Sequence, residues 1–285
     1  MSKNTKKSNN KKSRFKNIQE NPVEFVKESS IKELENFIKN ANNAYYNTGK
    51  PLISDEAYDI IIDEFKIKSP NNKVLNMIGA PLRSQVVKVK LPFWMGSMNK
   101  VKPKSRDLEL WLQKYQKPYL ISQKLDGLSG MVTYNIGQPN QVNLYTRGDG
   151  NYGQDISHLI PFLKLNDPIL IQRMKGNEIG LRGEFIMKKA IFQNKYAGKY
   201  PKARSLISGV INAKEPNIEV LKDMDFVIYE IIYNTDLKND LKKEPIPVKV
   251  EDQFNAIKKL GFNCVDYLVY NNSLNSDILI KLLLD

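Results

Sequence analysis

The sequence predicts an α+β fold in which a small helical module precedes an antiparallel-sheet core. Two observations carry that expectation. Apolar residues recur at helical intervals through 31–45 and 55–68, and strand-like runs follow at 119–123, 130–135, 141–146, 179–186 and 225–232, separated by turn residues. Helices at one end of a chain and strands after them are the pattern of an α+β architecture.

Composition bounds what such a fold can do. With 285 residues, 41% of them hydrophobic, the chain can bury one large core or two smaller ones. Lys and Arg outnumber Asp and Glu by 44 to 31, a net charge of +13 that suits a polyanionic partner such as nucleic acid or a nucleotide. One cysteine, Cys264, excludes an internal disulfide, and with one histidine, His158, no Cys/His zinc site can be assembled. Cys264 is expected to be a buried small residue and His158 a surface or cap residue. No apolar run approaches the roughly 20 residues of a membrane span, and the N-terminus lacks the apolar stretch of a secretory signal. An intracellular protein, cytoplasmic or nuclear, without a membrane partner is the expectation.

Residues 1–20 carry seven Lys/Arg against the single acid Glu20, and 1–28 is expected to be a disordered basic tail. Ser30-Ile31-Lys32-Glu33 has capping-box spacing, so a helix should start there and use Leu34, Phe37 and Ile38 to bury one face. After Pro51, Ser54 or Asp55 should cap a second helix with Tyr58, Ile61, Ile62 and Phe65 on one side. These two helices define a module over 29–68. Residues 69–118, broken by Pro70, Pro81 and Pro92, read as a connecting segment that ends in a short helix from Leu108 to Tyr115. The core is assigned to 119–285, with helices and one short strand near 264–270 in its last part.

Chemistry concentrates in four places. Lys124-Leu125-Asp126-Gly127 closes the first core strand, a box in which an amine can attack phosphorus and a carboxylate can steer it. An attacking amine must be unprotonated, and Leu120, Ile121 and Leu125 predict apolar surroundings for it. Thr146-Arg147-Gly148-Asp149-Gly150-Asn151-Tyr152-Gly153 combines a fixed-charge fork with glycines that permit close backbone approach to an anion, or simply form a hairpin turn. Arg182-Gly183-Glu184 supplies a carboxylate for a ribose hydroxyl or a metal. In the helical module, Tyr45, Tyr46 and Tyr58 can stack on a flat ring or pack the helix pair, and Asp55 and Asp59 can accept hydrogen bonds from ribose hydroxyls.

Taken together these segments resemble the adenylation region of NAD-dependent DNA ligases, over about 30–285. Tyr45-Tyr46, Pro51 and Ile53-Ser54-Asp55-Glu56-Ala57-Tyr58-Asp59 are similar to the family's N-terminal module, which grips the nicotinamide mononucleotide half of NAD. Ser97 and Met98 fall in the family's segment bordering the adenosine, and Arg204 in Tyr200-Pro201-Lys202-Ala203-Arg204 matches a helix-start arginine. The family's asparagine after that arginine is Ser205 here, its later arginine is Asn212, and Ser122 stands where a glutamate usually contacts adenine. Tyr229 ends a strand that the family places near the adenine, or packs in the core.

The resemblance implies a nucleotidyltransferase core of the ATP-grasp-like ligase type. It implies Lys124 as nucleophile, forming a covalent lysyl-AMP from NAD with Asp126 orienting the reaction. Tyr45, Tyr46, Asp55, Tyr58, Asp59, Ser97, Met98, Ser122, Arg147, Glu184 and Arg204 would hold the cofactor. Magnesium (Mg2+), with Glu184 as a ligand, and nicked double-stranded DNA complete the implied set. Two other readings stay open: a non-catalytic nucleotide- or DNA-binding remnant of a ligase, and an ATP-dependent ligase or capping-type enzyme, since Lys-x-Asp-Gly is shared among them. The family's later lysine strand and its OB-fold, zinc, helix-hairpin-helix and BRCT elements do not follow before Asp285. The expectation is a fragment, or one part of a split enzyme needing a further polypeptide or C-terminal region to seal nicks.

Overall fold

The computed structural model describes residues 15–45, 51–77, 87–135, 138, 141–163, 165, 178–233 and 249–284. Along the chain the elements are α1 (Pro22–Glu28), α2 (Ile31–Asn43), α3 (Asp55–Lys68), β1 (Lys88–Lys90), α4 (Arg106–Lys114), β2 (Tyr119–Ser122), β3 (Leu128–Asn135), β4 (Val142–Thr146) and β5 (Tyr152–Gln154). They continue with β6 (Glu178–Ile186), α5 (Lys189–Lys195), α6 (Ala203–Ile211), α7 (Ile218–Lys222), β7 (Asp225–Tyr233), α8 (Val250–Lys259), β8 (Tyr267–Tyr270) and α9 (Ser276–Leu284). The mixture of helices and antiparallel strands is the α+β class that the sequence predicts.

The chain divides into two compact units, one of residues 1–95, 145–156 and 187–224, the other of 96–144, 157–186 and 225–285. This differs from a division into 29–68, 69–118 and 119–285, because antiparallel pairing ties β1 in the presumed connector to β5 in the presumed core.

The first unit is built on its helices. Ser30 begins α2 with the full capping box: its hydroxyl accepts from Glu33 N at 3.3 Å, while the Glu33 carboxylate accepts from Ser30 N at 3.0 Å. Ser54 accepts from Ala57 N and starts α3. Leu34, Phe37, Ile38 and Ala41 of α2 meet Ala57, Ile61 and Phe65 of α3 in one apolar cluster, and Ile18 and Val26 join it. That corrects the expectation for 15–28. Residues 15–20 and α1 are helical because Ile18 and Val26 find a core to enter, which the charge of the surrounding residues hides. Lys68, at the end of α3, donates to the carbonyls of Val26, Lys27 and Ser29 and so satisfies the C-terminal turn of α1.

The second unit holds a four-stranded sheet in the order β4-β3-β6-β7, with β3 and β7 both antiparallel to β6. Residues 130–134 of β3 are all buried, so this strand is covered on both faces and does not alternate. A register shift between Arg182 and Gly183 marks a bulge in β6 against β7. Strand β2 does not join this sheet; it pairs antiparallel with β8 instead. Cys264 is half-buried and bridges to Ile228, while His158 is exposed.

Candidate active site

In the second unit, Ser122 ends β2 opposite Tyr267, and Gln123 to Asp126 lead into β3 without regular secondary structure. Gly127 explains how that chain lies. A Cβ there would fall on the carbonyl oxygen of Phe185 and 3.0 Å from Glu184 Cγ, so only glycine lets the backbone at the end of the lysine box lie against β6. Glu184 is buried in β6, in register with Ser129 of β3, whose hydroxyl donates to its carboxylate at 2.7 Å. Lys124 and Asp126 are exposed and Leu125 is half-buried. The apolar setting expected for Lys124 is therefore not built by its neighbours in sequence, because Leu120 and Ile121, also half-buried, sit in the β2–β8 ribbon rather than around the amine.

Arg182, two residues before Glu184, enters the sequence reading only as part of the Arg-Gly-Glu box, with no role of its own. Its guanidinium donates to Gly96 O at 2.7 Å and to Glu230 at 2.8 Å, and lies 5.9 Å from the centre of the Tyr229 ring. It thereby holds the backbone at the residue before Ser97 and Met98, which are themselves exposed. Nothing in the spacing announces this, since Gly96 and Glu230 lie 86 and 48 residues away.

The first unit collects the remaining predicted residues. Tyr45 follows the end of α2, and the Arg204 guanidinium, in the first turn of α6, stands 4.4 Å from its ring centre. Tyr58 donates its hydroxyl to buried Asn42 at 2.6 Å, so part of its work is joining α3 to α2. Asp55 opens α3 and is exposed, and Asp59 one turn later is half-buried. Tyr46 lies outside the described residues. In the glycine-rich segment, Gly148 and Gly150 take φ of +54° and +94°, and Asp149 accepts from Asn151 N and Tyr152 N, so Asp149 shapes the turn. Arg147 is half-buried at the head of that turn. Asn212 donates to Ser208 O and closes α6, a helix-ending role for the residue that departs from the family pattern.

As a metal donor, Glu184 offers a hard oxygen on a rigid strand, chemistry that magnesium accepts alongside water and phosphate oxygens. Among the described residues no group of three or more metal-ligating side chains forms, so a cation here would draw most of its ligands from substrate and solvent.

The lysine box, the Arg-Gly-Glu strand and the glycine turn all fall inside residues 93–280, which match the model of the NAD-dependent DNA ligase adenylation domain. The chain belongs to this family. A DNA ligase of Acanthamoeba polyphaga mimivirus is 38% identical over 240 residues, 84% of this chain and 35% of that protein. The DNA ligase of Treponema denticola is 31% identical over 249 residues, 85% of this chain and 37% of that protein. The chain thus spans about a third of the length of these adenylation-domain relatives. A solved Naegleria gruberi RNA ligase aligns with 77% of this chain and 60% of its own at a TM-score of 0.37 and 16% identity, a distance at which the likeness carries no weight.

Proposed function

We propose that this chain carries out the adenylation step of DNA ligation with NAD as the adenylyl donor. Lys124 Nζ attacks the adenylyl phosphorus, a P–N bond forms, and the P–O bond to nicotinamide mononucleotide breaks with its electron pair leaving on that product. The amine proton passes to solvent. The observation that supports the reading is the packing of Gly127, the last residue of the lysine box, against the Phe185 carbonyl and Glu184 of β6.

Asp126 orients the amine, and Glu184 accepts from a ribose hydroxyl of the adenosine. Ser122, Ser97 and Met98 border the adenosine half. Tyr45, Tyr46, Tyr58, Asp55 and Asp59 receive the nicotinamide mononucleotide half, and Arg147 and Arg204 neutralise phosphate charge. Exposed as it is, Lys124 loses its water when the nucleotide covers it. Magnesium, when bound with Glu184 among its ligands, screens phosphate charge. The AMP then passes to the 5′-phosphate of nicked duplex DNA, and the 3′-hydroxyl displaces it.

Incubation with adenylate-labelled NAD, followed by mass spectrometry of the Lys124 peptide, tests the reading. Covalent AMP formed from NAD but not from ATP, and lost in Lys124→Ala, is the expected result. Labelling from ATP in place of NAD would move the chain to the ATP-using class, and no adduct from either would make it a binding remnant.

A further inference from the structure

We infer that the β1–β5 ribbon of the first unit is a docking surface for the sugar-phosphate backbone of duplex DNA. The inference rests on the ligase reading above for its choice of partner. In the ribbon Lys88 pairs with Gln154, Val89 with Gly153 and Lys90 with Tyr152. Directly paired residues of an antiparallel ribbon share a face, so Lys88, Lys90 and Tyr152 fall on one side and Val89 and Gly153 on the other. The second side faces inward: Gly153 is buried, and a Cβ there would meet the Thr146 carbonyl and Leu91. The first side is open at Lys88, Lys90 and Tyr152, both lysines being exposed and Tyr152 47% exposed, while Gln154 opposite Lys88 is half-buried. Asp155, next along the chain, is exposed beyond the end of β5 and bridges to Tyr145.

Trp94 follows the ribbon four residues after Lys90. It is 60% exposed, an uncommon state for tryptophan, and it is held there. Leu91 before it and Met95 after it are buried, and their amides donate to Asn151 O at 2.8 Å and Gly150 O at 2.9 Å. The indole nitrogen lies 3.5 Å from where a Cβ of Gly150 would stand. Two lysines with Cα atoms about 6.6–6.8 Å apart along one strand, Lys90 paired with Tyr152, offer charge for neighbouring phosphates and a flat apolar face for the sugars between them. The net charge of +13 favours the approach of a polyanion.

The test uses the full chain and a fluorescent nicked duplex with a 5′-phosphate, with anisotropy read over a series of salt concentrations. For a Lys88→Ala/Lys90→Ala double variant, the expected result is at least a tenfold weaker Kd at low salt. The slope of log K against log salt should also flatten by about 1.8, near 0.9 for each phosphate that a lysine no longer neutralises. Trp94→Ala should weaken binding with the slope unchanged. Both variants should form lysyl-AMP from NAD at the wild-type rate. Unchanged affinity and slope in the double variant, or a wild-type chain that does not bind the duplex, would overturn the inference. If the ribbon variants lose DNA while even the wild type takes no AMP from NAD, the surface stands and the adenylation reading falls.

Discussion

Gly127 is where a single side chain would do the most damage. Its place against the Phe185 carbonyl and Glu184 means that Gly127→Ala must push the backbone at the end of the lysine box off β6. A loss of about 1–3 kcal/mol in urea unfolding, the usual cost of forcing atoms into packed space, is expected together with a fall of tenfold or more in the rate of lysyl-AMP formation. Arg182 acts through backbone instead. Arg182→Met removes charge-assisted hydrogen bonds to Gly96 and Glu230, which should cost about 1–3 kcal/mol. Since Gly96 precedes Ser97 and Met98, KM for NAD should rise more than kcat falls, while binding of nicotinamide mononucleotide alone should stay unchanged. Equal losses in both ligands would assign Arg182 to general stability. Lys124 and Glu184 could be picked out from short boxes in the sequence. The role of Arg182 could not, because it depends on partners that only folding brings near.

At the scale of elements, local signals and long-range pairings part company. The capping box at Ser30, the cap at Ser54 and the apolar stripes of α2 and α3 are encoded within a few residues of where they act, and the helices begin where those signals stand. The strand runs at 130–135, 141–146, 179–186 and 225–232 were legible for the same reason. The β2–β8 ribbon joins residues about 150 positions apart, and β1 is a three-residue strand among prolines, so neither pairing leaves a local trace. The short helical run at 15–20 and α1 were hidden because the charged residues around them mask the apolar residues that join the core, Ile18 and Val26 with Phe15 and Phe25 against them. Tyr58 shows how one residue can serve an element and a site together. Its bond to buried Asn42 makes Tyr58→Phe cost about 1 kcal/mol in thermal or urea unfolding, whatever it does to ligand binding.

At the scale of the molecule, both units combine an apolar core with surface charge, and alkaline stability probes one half-buried polar contact of the first unit. Burial, and then the hydrogen bond to Asp223 at 2.7 Å, raise the Tyr196 hydroxyl to about 12. The unfolded chain gives up that proton near its ordinary value of about 10, so the folded state holds more protons between the two values. The resulting stability is fully present below pH 10 and is lost as pH rises through about 12. Urea unfolding across that window should fall more steeply for the wild type than for Tyr196→Phe.

The family match, the packing of Gly127 against Glu184 and the basic charge support the proposed event, transfer of AMP from NAD to Lys124. Intact-mass and peptide mass spectrometry of the purified chain after incubation with NAD and magnesium reads that event directly. One AMP per chain is expected, located on Lys124, absent with ATP and absent in Lys124→Ala. An adduct that persists in Lys124→Ala, or none at all in the folded wild-type chain, would contradict it.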